Sequence, residues 1–199
     1  MSFSSLTLAQ FLDALASSAP TPGGGTASAV TGAMGTALLA MVAGLPKTRE
    51  NTAEERAALD EARGRLLPLR AALERAADRD TEAYDVVLAA YRMPKATDEE
   101  KAARSAAIQA GFRAATEAPL ETLRLAAEAL EVGAIVARHG LPSAASDVGV
   151  GASLLVAAAE GAAANVRINL DSLKDQAFRE EAARRADDLL ARAKRGLPL

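Results

Sequence analysis

From Thr52 to Tyr91 apolar residues recur every third or fourth position, and a compact domain of this size has no room for a straight rod of that length. Thr52 and Glu55 form a capping box that opens the stretch. At ~1.5 Å per residue it would run about 60 Å, whereas a compact 199-residue domain has a diameter of roughly 42 Å. The helix therefore breaks near Pro68, or the molecule is elongated, or it dimerises. The rest of the chain carries the same period and almost no strand alternation. Thr7 caps a first amphipathic helix bearing Leu8, Phe11, Leu12 and Leu15, which stops before Pro20. An apolar helix follows. Thr97 and Glu100 open a long fourth segment, kinked by Pro119 and stopped by Gly140. A fifth helix ends near Asn169, and Asp171 caps a charged sixth. The expectation is an all-α single domain over residues 1–199, a bundle of about six long, partly kinked helices.

Half of the residues are hydrophobic but only 3% are aromatic, with no Trp. The core must therefore be built from Ala, Leu and Val at short interhelical distances. No charge occurs between Asp13 and Lys47. That stretch lacks the basic start of a signal peptide. Ser28, Thr31, Gly32, Gly35 and Thr36 interrupt it too often for a membrane span, so it reads as a buried helix whose small residues admit close neighbours. A net charge of −3 gives no footprint for nucleic acid. Absent cysteines remove disulfides and thiolate chemistry, and a lone His139, read as structural at a helix end, cannot build a histidine metal cluster. No metal site, nucleic acid or membrane partner is expected, and the cytoplasm is the simplest compartment.

One seam stands out in the long third segment. Leu66, Leu69, Leu73, Ala76, Asp80, Tyr84, Val87 and Tyr91 share one helical stripe, so Asp80 and Tyr84 interrupt an apolar face. A carboxylate directed at a packing surface is costly unless paired. Asp80 either caps a buried network, the reading the residues alone favour slightly, or does chemistry. Asp147 heads a comparable stripe through Gly151, Ala158, Asn165 and Asn169, though Ser146 and Asp147 also suit an ordinary helix start. The run Pro20-Thr-Pro22-Gly23-Gly24-Gly25 is either a plain turn or a helix N-terminus whose backbone N–H groups could hold an anion. Lys95 lies on a connection from which its ammonium can reach a ligand.

These blocks together resemble one family. Pro20-Thr-Pro-Gly-Gly-Gly-Thr-Ala-Ser-Ala29, Asp80-Thr-Glu-Ala-Tyr84, Met93-Pro-Lys95, Ser146-Asp-Val-Gly-Val-Gly151 and Asn165-Val-Arg167-Ile-Asn169 are similar to the formiminotransferase-cyclodeaminase C-terminal domain. That family includes free-standing methenyltetrahydrofolate cyclohydrolases. The resemblance spans nearly the whole chain with its blocks in order. It implies an all-α homodimer binding a tetrahydrofolate one-carbon derivative as substrate in a cleft between helices, with no separate cofactor. It also implies one of two reactions, closure of 5-formiminotetrahydrofolate to 5,10-methenyltetrahydrofolate with loss of ammonia, or hydration of the latter to 10-formyltetrahydrofolate. On this resemblance Asp80 and Asp147 are the acids, Tyr84 orients Asp80, and Lys95 is a proton donor or a partner for the folate glutamate. Pro22, Gly23, Gly24, Gly25, Ser146, Asn165, Arg167, Asn169 and Lys47 are then the substrate-binding set.

The chain departs from the family pattern in two places. Leu141-Pro142-Ser143 stands where many members have Asn-x-Asn, and Lys47-Thr48-Arg49-Glu50 replaces a Lys-rich run that ends in Tyr. A folate-like binding protein whose catalysis has lapsed is the alternative, and a purely structural helical dimer is a third reading that the polar seams argue against.

Overall fold

A computed structural model describes residues 5–46 and 51–196; Lys47, named above as a substrate contact, lies outside the described residues. The elements are α1 (Leu8–Ala16), α2 (Gly24–Ala43), α3 (Ala53–Tyr91), α4 (Asp98–His139), a short 3₁₀ turn (Pro142–Ala144), α5 (Ala145–Leu170) and α6 (Gln176–Gly196). The three expected N-terminal signatures are all present: Thr7, Thr52 and Thr97 each close a capping box, with Gln10, Glu55 and Glu100 respectively. The sixth helix begins later than expected. Asp175, whose carboxylate accepts from the Phe178 N–H at 3.0 Å, stands at its start, and Asp171 instead ends α5.

Neither proline breaks its helix. α3 is continuous for 39 residues and α4 for 42. An internal proline orphans the carbonyl four residues earlier and crowds it. For Pro68 that carbonyl belongs to Gly64, which is exposed with open space around it, so water can take the lost bond. For Pro119 it belongs to Ala115, which is buried, and the Asn169 amide of α5 donates to that oxygen at 2.6 Å.

α2 packs between α3 and α5, while α4 lies against α3, α5 and α6. By length and composition α2 and the stretch Pro142–Leu170 could each cross a bilayer, but 61% of the α2 window is buried inside the protein. The α2–α5 contact is made by small residues: a Cβ at Gly35 would fall 2.6 Å from the Gly151 carbonyl oxygen, and one at Gly161 would fall 2.3 Å from Ser28 Oγ. The core is accordingly made of Ala, Leu and Val, with Leu39, Leu66, Leu73, Leu123, Leu130 and Leu155 fully enclosed.

Unequal helix lengths open a groove. Along α2, Gly25 lies beside Asp80, Gly32 beside Leu73 and Gly44 beside Arg63, so α2 and α3 are antiparallel. On its other flank Gly24 lies near Asn165 and Gly35 beside Gly151. α2 thus starts level with Asp80 and Asn165, and α3 runs on for 91 − 80 = 11 residues, about 16 Å. Beyond the glycines α2 no longer covers α3. α4 forms the floor there, with Gly111 against Val87 and Phe112 edge-on to Tyr91, ring centres 6.3 Å apart.

Candidate functional site

Asp80 stands at the head of this groove. Its stripe on α3 is buried through Leu66, Leu69, Leu73 and Ala76, and it emerges where α2 ends: Asp80 is half-buried, Tyr84 is 38% exposed and Tyr91 49%. The apolar face is interrupted because its covering helix stops. Thr26 Oγ donates to Asp80 Oδ2 at 2.9 Å, and the Thr26 backbone N–H bonds the same carboxylate. Thr81 Oγ lies 3.3 Å from Thr26 Oγ. The carboxylate therefore occupies the N-terminus of a helix that has no acidic residue in its first turn and no side-chain cap.

Gly25 makes this approach possible. A Cβ at that position would sit 2.1 Å from Asp80 Oδ1 and 2.6 Å from its Cγ, closer than any side chain tolerates. Gly24 is different, because its nearest neighbour would be Asn165 Nδ2 at 3.5 Å, an ordinary contact. Pro22 is buried after a cis Thr21–Pro22 bond, and Gly23 is the N-cap residue of α2.

Burial raises the Asp80 carboxyl above the ordinary carboxylate range, opposed by the two hydrogen bonds from Thr26. The two effects together give a group that is held in one orientation and binds a proton more readily than a free aspartate. Such a group can accept and return a proton at a reacting centre in the groove.

Of the other sequence-derived residues, Asn165 lies beside the glycine turn and donates to the Gly161 carbonyl at 2.9 Å. Asn169, one turn further along α5, serves Ala115. Tyr84 flanks the groove, but the expected hydrogen bond to Asp80 is not formed; Thr26 fills that role. Arg167 points the other way and pairs with Asp187 of α6 at 2.8 Å. Asp147 sits half-buried in the first turn of α5 with exposed Ser146 beside it. It is 165 − 147 = 18 residues from Asn165, about 27 Å along the axis. Within one chain Asp80 and Asp147 therefore do not meet. Lys95 lies past the far end of the groove, on the α3–α4 connection.

The sequence reading missed Thr26 and Thr81. Both stood inside quoted blocks, yet a threonine hydroxyl leaves no periodic signal, and only the antiparallel register of α2 and α3 joins them to Asp80.

Asn169 also ties the groove to the core. Asn169→Ala would leave the buried Ala115 carbonyl unpaired, at about 1–3 kcal/mol, and the melting temperature should fall by several degrees. Adding Pro119→Ala should restore most of that loss, because residue 119 then regains the N–H that Ala115 lacks. Thermal unfolding of the single and double variants checks this; a double variant no more stable than Asn169→Ala would refute the coupling.

The model of the formiminotransferase-cyclodeaminase family matches residues 7–188 of the chain. A methenyltetrahydrofolate cyclohydrolase from Methylorubrum extorquens is 44% identical over 187 residues, covering 94% of this chain and 90% of that protein. The formimidoyltransferase-cyclodeaminase of Gallus gallus is 34% identical over 96% of this chain, which spans only 36% of the bird protein. Among solved structures, the formiminotetrahydrofolate cyclodeaminase of Thermotoga maritima superposes with a TM-score of 0.85 at 27% identity, covering 96% of this chain and 91% of that one.

Proposed function

The chain belongs to the formiminotransferase-cyclodeaminase family, and on that footing we propose that it is a folate-dependent one-carbon enzyme that hydrolyses 5,10-methenyltetrahydrofolate to 10-formyltetrahydrofolate. The observation that carries the choice of reaction is the 44% identity extending over 90% of a protein named as that cyclohydrolase. The cyclodeaminase reaction is the second reading, favoured by the fold match to a bacterial cyclodeaminase of nearly equal length.

In the proposed reaction a water oxygen bonds to the methenyl carbon, and the electron pair of the carbon–nitrogen double bond moves to nitrogen. Asp80 takes the proton that the added water sheds. The tetrahedral centre then collapses: the bond to N5 breaks, N5 receives the proton that Asp80 holds, the hydroxyl proton passes to solvent, and the formyl group is left on N10. The groove supplies what supports this sequence: a base of raised proton affinity held at a fixed position. The proposed chemistry uses no cofactor besides the folate. Purified protein should consume 5,10-methenyltetrahydrofolate with loss of its near-ultraviolet absorbance. Gain of that absorbance from 5-formiminotetrahydrofolate, without hydrolysis, would instead favour the second reading.

The working assembly in this proposal is a cytoplasmic homodimer. Met34 and Met41 are 46% and 42% exposed one heptad apart on α2, and Val150 on neighbouring α5 is 53% exposed. A second copy covering this face would bury them, and it lies beside the Asp147 end of α5. Because Asp147 cannot reach the Asp80 site of its own chain, it acts, if it acts, in a site shared between subunits. Light scattering should give twice the 20.4 kDa chain mass. Unfolding and refolding a mixture of inactive Asp80→Asn and Asp147→Asn chains should return about a quarter of wild-type activity, the share expected when half the dimers carry one complete site. No recovery would confine each site to one chain.

A further inference from the structure

We propose, resting on the folate reading above, that Thr81 is a positioning residue for the hydrolysis: its hydroxyl donates to Thr26, commits the Thr26 proton to Asp80, and so fixes the carboxylate that exchanges the proton. The case begins with how the protein uses its other enclosed hydroxyls. Among the described residues, Ser28, Thr36, Thr116 and Thr122 are buried like Thr26. Each donates to the carbonyl four residues back in its own helix: Ser28 to Gly24 at 2.7 Å, Thr36 to Gly32 at 2.8 Å, Thr116 to Phe112 at 2.8 Å and Thr122 to Ala118 at 3.5 Å. That local bond is the ordinary resort of a helical hydroxyl. Thr26 departs from it. It stands third in α2 after the N-cap Gly23, so the carbonyl four residues back belongs to Pro22, outside the helix. Its hydroxyl turns to Asp80 instead, at 2.9 Å.

The proton count assigns the next contact. A threonine hydroxyl has one proton to give and two lone pairs to receive with. Thr26 spends its proton on the carboxylate, so across the 3.3 Å to Thr81 Oγ it can only accept, and Thr81 is the donor. Without that donor the Thr26 O–H is free to swing about its carbon–oxygen bond. With it the two hydroxyls form a chain of one direction, in which each bond polarises the next. Thr81 follows Asp80 by one residue, which turns it about 100° around α3 and off the stripe that faces the groove. It therefore reaches the reaction through Thr26 and not through the ligand.

No charged side chain supplies the same hold. α2 carries none. On α4 Glu117 pairs with Arg185 and Glu121 with Arg124. On α5 Glu160 pairs with Lys194 and Arg167 with Asp187. On α3 itself Arg79 and Tyr84 are exposed, and Asp78 is turned about 160° away. Burial pushes the Asp80 carboxyl up, and the bonds from Thr26 are what oppose it. Thr81 thus governs how much of that opposition is realised.

The test is the pH profile of kcat/KM for 5,10-methenyltetrahydrofolate on Thr81→Val, Thr81→Ser, Thr26→Val and the Thr26→Val/Thr81→Val double variant. Valine keeps the branched shape and removes the hydroxyl; Thr81 is partly exposed, so neither of its variants threatens the fold. In Thr81→Val the acid limb should move up by about half a pH unit, and kcat should fall about fivefold with KM held within about twofold. Thr81→Ser should restore both. Thr26→Val should move the limb by about one unit, the worth of a hydrogen bond to a charged group. The double variant should be no worse than Thr26→Val, because Thr81 acts only through Thr26. An unchanged limb and kcat in Thr81→Val, no rescue by serine, or a Thr81→Val effect that persists undiminished on Thr26→Val, would overturn the proposal while hydrolysis persisted. If wild-type protein does not hydrolyse the substrate, the reaction assignment fails instead, and carbon-13 NMR titration of the Asp80 carboxyl still decides the positioning. Titration at higher pH in Thr81→Val, and at the wild-type pH in Thr81→Ser, supports it; identical titration in all three proteins ends it.

Discussion

Asp80→Asn should lower turnover on 5,10-methenyltetrahydrofolate by about 10²-fold or more and leave the melting temperature at neutral pH unchanged or higher. The first part follows from removing the group that exchanges the proton. The second follows from the direction of its proton affinity. Burial holds the folded Asp80 carboxyl above its unfolded value, so as pH falls the folded state takes up this proton first. Stability contributed by Asp80 is therefore lost as pH rises through the folded value and regained as pH falls from it toward the unfolded value. At neutral pH the charged form is a burden on the fold. An amide has no such burden, and its oxygen can still accept from Thr26. The wild-type pH profile should also carry an acid limb displaced above the ordinary carboxylate range, absent from any residual activity of the variant. Measuring turnover and thermal unfolding on the same preparation separates the two readings of the seam. Full activity with a lowered melting temperature would make Asp80 a structural residue and leave Asp147 as the remaining acid.

Gly25→Ala should be comparably damaging to catalysis, and Gly24→Ala nearly silent. The added methyl at residue 25 would overlap the Asp80 carboxylate, at 2.1 Å from Oδ1. Either Asp80 rotates away and loses both Thr26 bonds, or the start of α2 shifts. Displacing a reacting group by about 1 Å costs on the order of 10²-fold. At residue 24 the new methyl meets only Asn165 Nδ2 at van der Waals distance. Alanine favours helix over glycine by about 1 kcal/mol, so neither variant should unfold, and the difference between them isolates the site. Comparable kcat/KM for the two variants would show that the glycine run is merely a turn.

The helical pattern was legible because apolar period and capping boxes are local signals, and Thr7, Thr52 and Thr97 stand where the residues place them. Asp80 was legible as an anomaly on its stripe. What it meets was not, since Thr26 and Gly25 are more than fifty residues away and join it only through tertiary register. The break at Pro68, one of three readings open in the sequence, is not the one observed, for a related reason. A proline stops a helix only if the orphaned carbonyl finds no substitute, and whether Gly64 faces water or Ala115 faces Asn169 is decided by neighbouring helices. Asp171 was expected to cap the sixth helix, but Asp175 can cap as well, and which of them does so is decided by the α5–α6 turn.

The glycine contact between α2 and α5 acts as a ratchet tooth. With the Gly35 position 2.6 Å from the Gly151 carbonyl and Gly161 closed on Ser28, α2 cannot slide along α5 without driving larger side chains into backbone. A slip of one turn, about 5.4 Å, would carry the glycine end of α2 clear of Asp80 and leave that carboxylate without its donors. Catalytic alignment at one end of α2 is thus indexed by notches about one and three turns down its length. Divergence among relatives that retune the reaction should spare those notches and spend its changes on α4 and the connections, where the walls of the groove can be recut without moving its head.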